Sequence, residues 1–242
     1  MNDTQYVVER EPTGIAGFDE IIEGGIPRGR SILITGPPGT GKTILCAQFL
    51  HHGITKCGQK GIFVSLEETR LHFYREMRRF KWDFENLETQ GSFHFIDAVP
   101  FFGRGNVPHR SLDTILRETL RMASELHIQR AAVDGIDSLI FEFPNLVDRR
   151  KVILGLVDTM AGTGATTVFT NEQSIFGSKH VSLEEYLTHG IVALQIAKSG
   201  SSSRRMLEVQ KMRETAIDLQ ARPYLITSSG IELLSKEPAT EH

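Results

Sequence analysis

The sequence has few cysteines, little net charge and no long apolar run, and each of these shortages excludes a class of protein. Two cysteines among 242 residues are too few for a small domain built on disulfide bonds. No stretch approaches the roughly 18 apolar residues that mark a membrane span. The 27 Lys and Arg against 30 Asp and Glu give a net charge of −3, which argues against a protein whose main role is to coat nucleic acid.

The two ends of the sequence differ in character from the long middle. Residues 1–12 are polar and acidic and do not have the charged-then-apolar order of a secretion signal, so we expect a cytoplasmic protein. We predict an N-terminal tail over residues 1–12, one domain over residues 13–235 and a C-terminal tail over residues 236–242. With 40% hydrophobic residues, a domain of this length can bury a sizeable core.

Short runs of β-favouring residues alternate with helical patterns along most of the chain. We predict strands at residues 31–35, 61–66, 92–97, 130–134 and 165–170, and helices at residues 42–53, 69–80, 111–127 and 149–162. This alternation indicates an α/β fold whose central sheet is mostly parallel and flanked by helices on both faces. Later strands at residues 191–196, 205–213 and 224–227 predict antiparallel additions, and residues 101–108 predict an irregular loop.

The strongest functional signal is a phosphate-loop (P-loop) pattern between the first predicted strand and helix. Its members are Gly36, Pro37, Pro38, Gly39, Thr40, Gly41, Lys42 and Thr43. Glycines let successive backbone N–H groups wrap a polyphosphate at a helix N-terminus, where the helix dipole also favours negative charge. Lys42 would neutralise the outer phosphates, and the Thr43 hydroxyl would bind Mg²⁺. Nothing in the loop distinguishes adenine from guanine.

Asp134, at the end of a predicted buried strand, is the candidate for a second Mg²⁺ anchor. A carboxylate at that place can hold the metal through water from across the P-loop. Asp137, three residues further on, is the alternative, but a glycine separates it from the strand and it is expected to lie beyond the strand end.

Two adjacent carboxylates, Glu67 and Glu68, close the predicted strand at residues 61–66. One carboxylate can orient or deprotonate water while the other adjusts the basicity of the first. The alternative is structural, because Ser65 and Glu68 have the spacing of a helix capping box. Sequence pattern leaves the two interpretations about even, and the position one strand after the P-loop helix favours catalysis.

Lys211 and Arg213 alternate along a predicted strand, so both would project from one face. From the residues alone, a solvated edge strand that discourages aggregation is favoured. The alternative is a pair of cations that stabilises charge on a transferred phosphoryl group, as an arginine finger does.

Taken in order, these motifs resemble the KaiC-like ATPases of the RecA/RadA superfamily. The resemblance covers residues 13–233, and three segments add to its specificity: Thr13-Gly-Ile-Ala-Gly-Phe-Asp-Glu20, Gly24-Gly-Ile-Pro-Arg-Gly29 and Lys211-Met212-Arg213. It implies a RecA-like fold, ATP and Mg²⁺ as ligands, and ATP hydrolysis. Glu67 and Glu68 correspond to the catalytic glutamates of the family, with Glu67 the better candidate for activating water.

The resemblance reverses the favoured interpretation of Lys211 and Arg213. Lys211, Met212 and Arg213 match the family segment whose two cations reach the γ-phosphate bound to a neighbouring subunit. It therefore implies self-assembly into a ring, typically a hexamer, with nucleotide at the subunit interfaces. Two positions depart from the family pattern, with His189 where an Asp is common and Glu214 where a Gly usually follows.

We favour a regulatory or signalling ATPase, and three alternatives stay open. A DNA repair or recombination ATPase would need mobile loops rich in basic and aromatic residues, which are sparse here, so nucleic acid is not favoured as a partner. A nucleotide sensor of the archaellum-accessory type would bind ATP without turnover. An autophosphorylating kinase is disfavoured because Glu185 and Tyr186 stand where the kinase-type domain of the clock member has its Ser-Thr pair, although Thr188 lies nearby.

Overall fold

A computed structural model describes residues 7–98, 112–138, 145–172, 188–199 and 202–234. The predicted loop at residues 101–108 and the predicted tail at residues 236–242 lie outside these residues, as do Glu185 and Tyr186. In chain order the elements are β1 (Arg10–Glu11), α1 (Phe18–Ile21), β2 (Ile26–Pro27), β3 (Ser31–Gly36), α2 (Lys42–Cys57), β4 (Gly61–Ser65), α3 (Arg70–Met77), α4 (Phe84–Thr89), β5 (Phe93–Asp97), α5 (Leu112–Glu125), β6 (Arg130–Asp134), α6 (Leu146–Gly162), β7 (Thr166–Glu172), β8 (Gly190–Ser199), β9 (Ser202–Met212), β10 (Arg222–Thr227) and β11 (Gly230–Leu233).

Nine of the described strands form one sheet in the order β5-β4-β6-β7-β3-β8-β9-β10-β11. The six strands from β5 to β8 are parallel to one another. The last three strands are added antiparallel. The prediction of an α/β fold with a mostly parallel sheet and C-terminal antiparallel strands is confirmed.

Each face of the parallel sheet packs against helices, because successive residues of a buried strand point to opposite faces. In β3, Ile32 and Ile34 join a core that contains Phe49 of α2. Leu33, between them, joins a second core with Leu156 of α6. No helix in the described part of the chain is long and apolar enough to cross a membrane.

Helix α2 is longer than predicted, because Gly53 does not end it. The helix continues to Cys57 and ends at Gly58, whose φ of 66° is the left-handed conformation typical of a helix C-terminus. Gly53 instead makes room for a buried side chain, since a Cβ there would lie 2.1 Å from Arg130 Nε. The predicted helix at residues 69–80 also ends early, at Met77, and a short 3₁₀ turn follows it (Arg78–Phe80).

Part of the predicted N-terminal tail is incorporated into the fold. Arg10 and Glu11 form β1 and pair antiparallel with β2. The Glu11 side chain is only 3% exposed and forms an ion pair with Arg130, which is fully buried.

Candidate site residues lie at both ends of the sheet, the carboxyl ends of the parallel strands and the opposite end. The carboxyl ends of β3, β4, β6 and β7 meet at one end, where Gly36, Ser65, Asp134 and Glu172 lie. Strand β9 runs the other way, so its N-terminal half approaches this end while Met212 pairs with Gly190 at the opposite end. Binding sites in open α/β sheets form at the carboxyl ends of parallel strands.

Candidate nucleotide-binding site

The P-loop connects the carboxyl end of β3 to the first turn of α2, as its mechanism requires. Gly41 precedes the helix with φ 93°, and a Cβ there would lie 2.9 Å from Ile226 Cδ1. A Cβ at Gly36 would lie 2.3 Å from the Leu194 carbonyl oxygen. Both positions therefore require glycine, one for its backbone conformation and one for close packing against β8.

Hydrogen bonds within the P-loop, and one from an antiparallel strand, hold the loop in its conformation. The Lys42 ammonium donates to the Gly36 carbonyl at 2.8 Å, and the buried Thr40 hydroxyl donates to the Pro37 carbonyl at 2.8 Å. From β10, the Tyr224 hydroxyl donates to the Thr40 carbonyl at 2.6 Å. These bonds hold the loop in place, with the lysine side chain folded back onto the turn.

Asp134 lies directly beside the first turn of α2. Its Oδ2 accepts a hydrogen bond from the Thr43 hydroxyl at 2.9 Å, and its Oδ1 accepts one from the Thr170 hydroxyl at 2.5 Å. Burial raises the pKa of this carboxyl above its usual range, although the bonds from Thr170 and Thr43 and the charge of Lys42 oppose the shift. Asp137, the alternative from the sequence, instead accepts from the backbone N–H of Glu172 at 3.0 Å.

Glu67 projects into the same region from the loop after β4. Its Oε1 accepts from the Ser138 hydroxyl at 3.1 Å, and its side chain packs so closely on Gly135 that a Cβ there would lie 2.4 Å from Glu67 Cγ. Partial burial, followed by the negative charges of Asp137 and Asp134, raises the pKa of Glu67. A carboxylate with a raised pKa is a better general base near neutral pH.

Glu68 does not complete a capping box. Its backbone N–H donates to the Ser65 hydroxyl at 2.9 Å, but Ser65 lies in β4 and helix α3 begins only at Arg70, after Thr69 as its N-cap. The Glu68 Oε2 atom is buried and has no hydrogen-bond partner among the described residues. Burial, and after it the charge of Glu76, raises the Glu68 pKa.

These groups share one cavity of about 560 Å³. Its ionisable lining consists of six carboxylate residues and three cationic ones: Glu67, Glu68, Glu76, Asp134, Asp137, Glu172, Lys42, Arg79 and Arg205. An excess of carboxylates is an unusual environment for a polyphosphate, so a triphosphate bound here needs further positive charge. A magnesium ion and cations from outside the cavity are two sources of it.

The site chemistry suits magnesium held jointly by protein and phosphate. Thr43 and Asp134 offer a hydroxyl and a carboxylate, the hard oxygen donors that Mg²⁺ prefers. Among the described residues, no group of three or more His, Cys, Asp and Glu side chains is arranged to hold a metal.

Lys211, Met212 and Arg213 do not lie in this cavity. They stand at the opposite end of the sheet, where Lys211 Nζ donates to the Thr188 carbonyl at 2.7 Å and the Arg213 N–H donates to the His189 carbonyl at 2.9 Å. Met212 is buried in the core, and the Arg213 side chain is exposed.

A β-bulge sets the direction of these residues. The partners of Ile191 and Val192 are Lys211 and Val209, so Gln210 is an extra residue in β9. Val209 and Met212 consequently both face the core, which puts Lys211 on the other face. Simple alternation along the sequence does not predict this arrangement.

Several groups in the site were not singled out from the sequence. Thr170 could have been, because it ends a predicted strand next to the one that ends at Asp134. Arg205, whose Nε donates to the Gly39 carbonyl at 3.1 Å, and Tyr224 had no such signal. They meet the P-loop through the register of antiparallel strands, which local sequence does not determine.

Comparisons with known proteins agree with this geometry. A model of the KaiC ATPase family matches residues 11–238. The chain is 35% identical over 237 residues to the UPF0273 protein MJ1359 of Methanocaldococcus jannaschii, covering 93% of this chain and 96% of that protein. It is 32% identical over 227 residues to the circadian clock oscillator protein KaiC of Prochlorococcus marinus, covering 93% of this chain but only 45% of that protein.

A solved structure shares both the fold and the sequence pattern. The crystal structure of the KaiC-like protein PH0186 from Pyrococcus horikoshii matches with a TM-score of 0.84 and 33% identity, covering 95% of this chain and 100% of that one. The resemblance inferred from the motifs is therefore confirmed over nearly the whole sequence. The chain belongs to the KaiC ATPase family.

Proposed function

We propose that this protein binds ATP with Mg²⁺ at the P-loop, hydrolyses it, and assembles into a ring in which each nucleotide lies between two subunits. The supporting observation is the arrangement around Asp134, which accepts hydrogen bonds from Thr43 of the P-loop helix and from Thr170, with Glu67 packed on the next residue, Gly135. This arrangement supports phosphoryl transfer to water, in which a metal and a residue that orients the attacking water act on the phosphate.

Each cavity residue has a role that follows from its position. Backbone N–H groups of the P-loop bind the phosphates, and the Lys42 ammonium moves from the Gly36 carbonyl to the outer phosphates. Thr43 and Asp134 hold Mg²⁺, directly and through water. The metal, when bound, neutralises charge on the phosphates.

Glu67 acts as the general base. Its carboxylate accepts a proton from a water molecule as that oxygen bonds to the γ-phosphorus, and the departing oxygen keeps the electron pair on ADP. Glu68 lines the same cavity with its Oε2 buried and without a hydrogen-bond partner among the described residues, and the charge of Glu67 is one cause of its raised pKa.

Cations from a second copy would balance the acidic cavity. Lys211 and Arg213 lie at the end of the sheet opposite the P-loop of their own chain, and Arg213 is exposed. In a head-to-tail assembly these cations can face the carboxylate-rich cavity of the next subunit. An arginine supplied in this way stabilises transition-state charge and is worth about 10³–10⁵ in kcat. A hexamer and a preference for ATP are the expectations for the KaiC family.

The alternative functions have less support. Thr188 is 3% exposed, and its hydroxyl donates to the Gly190 carbonyl at 3.1 Å, which does not suit an acceptor of phosphate. The described residues offer no observation that favours DNA, and the presence of both Glu67 and Glu68 favours turnover over a sensor without activity. A regulatory role and a cytoplasmic location stay predictions.

Phosphate release from ATP with Mg²⁺, measured together with the molar mass of the assembly in the same sample, tests the proposal. We expect Lys42→Ala to abolish release, whereas Lys56→Ala, exposed at the other end of α2, should leave it unchanged. Absence of turnover in the wild type would overturn the proposed hydrolysis. Full activity in a monomeric preparation would overturn the inter-subunit arrangement.

A further inference from the structure

The turn that follows Arg213 adopts an unusual backbone conformation. Glu214 has φ 60°, the left-handed region that glycine favours and that few other residues adopt. Such a conformation persists only where the surrounding structure holds it in place, and it is concentrated at functional sites.

The Glu214 side chain is held by a two-pronged ion pair. Arg30 donates from Nη2 to Glu214 Oε1 at 2.6 Å and from Nε to Oε2 at 3.3 Å. The Arg30 hydrogen bond lowers the pKa of the Glu214 carboxyl, so the pair is charged at neutral pH. Arg30 directly precedes β3, the strand that leads into the P-loop. The ion pair therefore connects the turn to the N-terminal end of β3.

The backbone of the turn is held by a second arginine. Arg10, whose side chain is 12% exposed, donates from Nη2 to the Glu214 carbonyl at 2.7 Å and from Nη1 to the Thr215 hydroxyl at 2.9 Å. It also donates to the carbonyls of Ile22 and Gly25, and Nη2 pairs with Glu23 at 2.6 Å. The guanidinium is therefore itself anchored by several groups of the N-terminal region.

Folding stability does not explain the Arg30–Glu214 ion pair. The Arg30 and Glu214 side chains are 38% and 30% exposed, and ion pairs so open to water contribute little to folding. What the contacts do is fix the residue next to Arg213 in one conformation. Two-point hydrogen bonding adds geometric specificity that a single contact lacks.

We propose that Glu214, held by Arg30 and Arg10, is a positioning residue that sets the direction in which Arg213 is presented to the nucleotide of the neighbouring subunit. This inference rests on the proposed function and deepens it. The backbone N–H of Arg213 donates to the His189 carbonyl at 2.9 Å, which holds the main chain before the Arg213 side chain. Glu214 holds the main chain directly after it. A charge that acts on a transition state must be held in place before the reaction.

Two substitutions separate positioning from folding. Glu214→Gln removes the negative charge from the ion pair with Arg30. We expect kcat for ATP hydrolysis to fall roughly tenfold, while the KM for ATP and the molar mass of the assembly stay unchanged. Glu214→Gly suits the left-handed backbone, so the urea midpoint should not fall while kcat falls by a similar factor. The control is Glu125→Gln, which breaks the exposed pair with Arg121 on α5 and should leave kcat unchanged.

A double-mutant cycle with Arg213→Ala tests whether Glu214 acts through Arg213. If it does, Glu214→Gln has no further effect on kcat once Arg213 is replaced. Equal effects of Glu214→Gln in both backgrounds, or an effect no larger than that of Glu125→Gln, would overturn the inference while leaving the proposed function intact. An unchanged kcat in Arg213→Ala would overturn the proposed role of Arg213, and the inference with it.

Discussion

The Thr43 hydroxyl donates a hydrogen bond to Asp134 Oδ2 across 2.9 Å, joining the first turn of the P-loop helix to the end of β6. Asp134 is 4% exposed, and burial raises its pKa above the usual range. The folded protein therefore binds a proton at Asp134 more tightly than the unfolded chain does. It follows that the ionised carboxylate reduces stability at neutral pH, a common compromise at functional sites.

Replacing Asp134 by Asn should separate stability from activity. The amide keeps the shape without the buried charge, so we expect the free energy of unfolding without nucleotide to stay unchanged or to rise by about 1 kcal/mol. Mg²⁺-dependent hydrolysis should fall roughly 10–100-fold, because in the proposed function the carboxylate holds a water ligand of the metal. Urea denaturation and phosphate release measure the two effects, with Asp158→Asn on the exposed face of α6 as control. A clear loss of stability would contradict the prediction.

The raised pKa of Glu67 predicts an acidic limit to activity. A general base must be ionised, so kcat at saturating Mg²⁺-ATP should fall as the pH drops through the Glu67 pKa, at a pH above the ordinary glutamate value. Glu67→Gln removes the proposed base and should lower kcat by about 10²–10⁴ while ATP still binds.

Asp137 tests whether a carboxyl group of this cavity, Glu67 or the neighbouring Asp134, sets the acidic limit. Its negative charge is one cause of the raised Glu67 pKa, so Asp137→Asn should move the acidic limit of kcat to lower pH. A pH–rate profile that does not shift, or that shifts to higher pH, would show that another group controls the limit.

Gly135 is expected to be essential for placing Glu67. A Cβ at this position would lie 2.4 Å from Glu67 Cγ, and φ is 84°. Gly164→Ala is a matched control, because Gly164 also has positive φ, 72°, but a Cβ there would meet nothing within 4 Å. Both variants should lose about 1 kcal/mol of stability from backbone strain. Only Gly135→Ala should also lower kcat, measured by phosphate release, and equal kcat values in the two variants would contradict this role.

The sequence predicted those parts of the molecule that depend on local pattern. The P-loop, its flanking strand and helix, and the position of Asp134 at a strand end follow from spacing and from the rule that parallel strands end together. The contacts of Arg205 and Tyr224 with the P-loop depend on the antiparallel register, and the direction of Lys211 depends on a bulge. Neither feature has a local sequence signal.

Gly53 shows why local signals also mislead. In sequence it resembles a helix end, yet it lies inside α2 because the Arg130 side chain crosses the helix there. The requirement comes from a residue 77 positions later, and only the tertiary structure reveals it. Glu11, which lies within the predicted tail of residues 1–12, is a second example, since the partner of its carboxylate is also Arg130.

Glu11 should therefore matter for stability although it lies in the polar N-terminal segment. It accepts hydrogen bonds from Arg130 at 3.0 Å, Arg28 at 2.8 Å and Gln59 at 2.7 Å. Glu11→Ala leaves the buried Arg130 charge without its counterion, and we expect the free energy of unfolding to fall by about 3–5 kcal/mol in urea denaturation. Glu9→Ala, which removes an exposed partner of Arg28, should change it by less than about 1 kcal/mol.

The stabilisation that nucleotide binding gives can show whether Glu11 acts only on folding or also on the nucleotide site. A ligand that binds only the folded state stabilises a protein by an amount set by its concentration and dissociation constant. Because Arg28, Gln59 and Arg130, which donate to the Glu11 carboxylate, do not line the cavity, Mg²⁺-ATP should raise the stability of Glu11→Ala and of the wild type by the same increment. A smaller increment in the variant would mean that the Glu11–Arg130 pair also supports the P-loop, through α2, whose Phe49 carbonyl accepts from Arg130 at 2.9 Å.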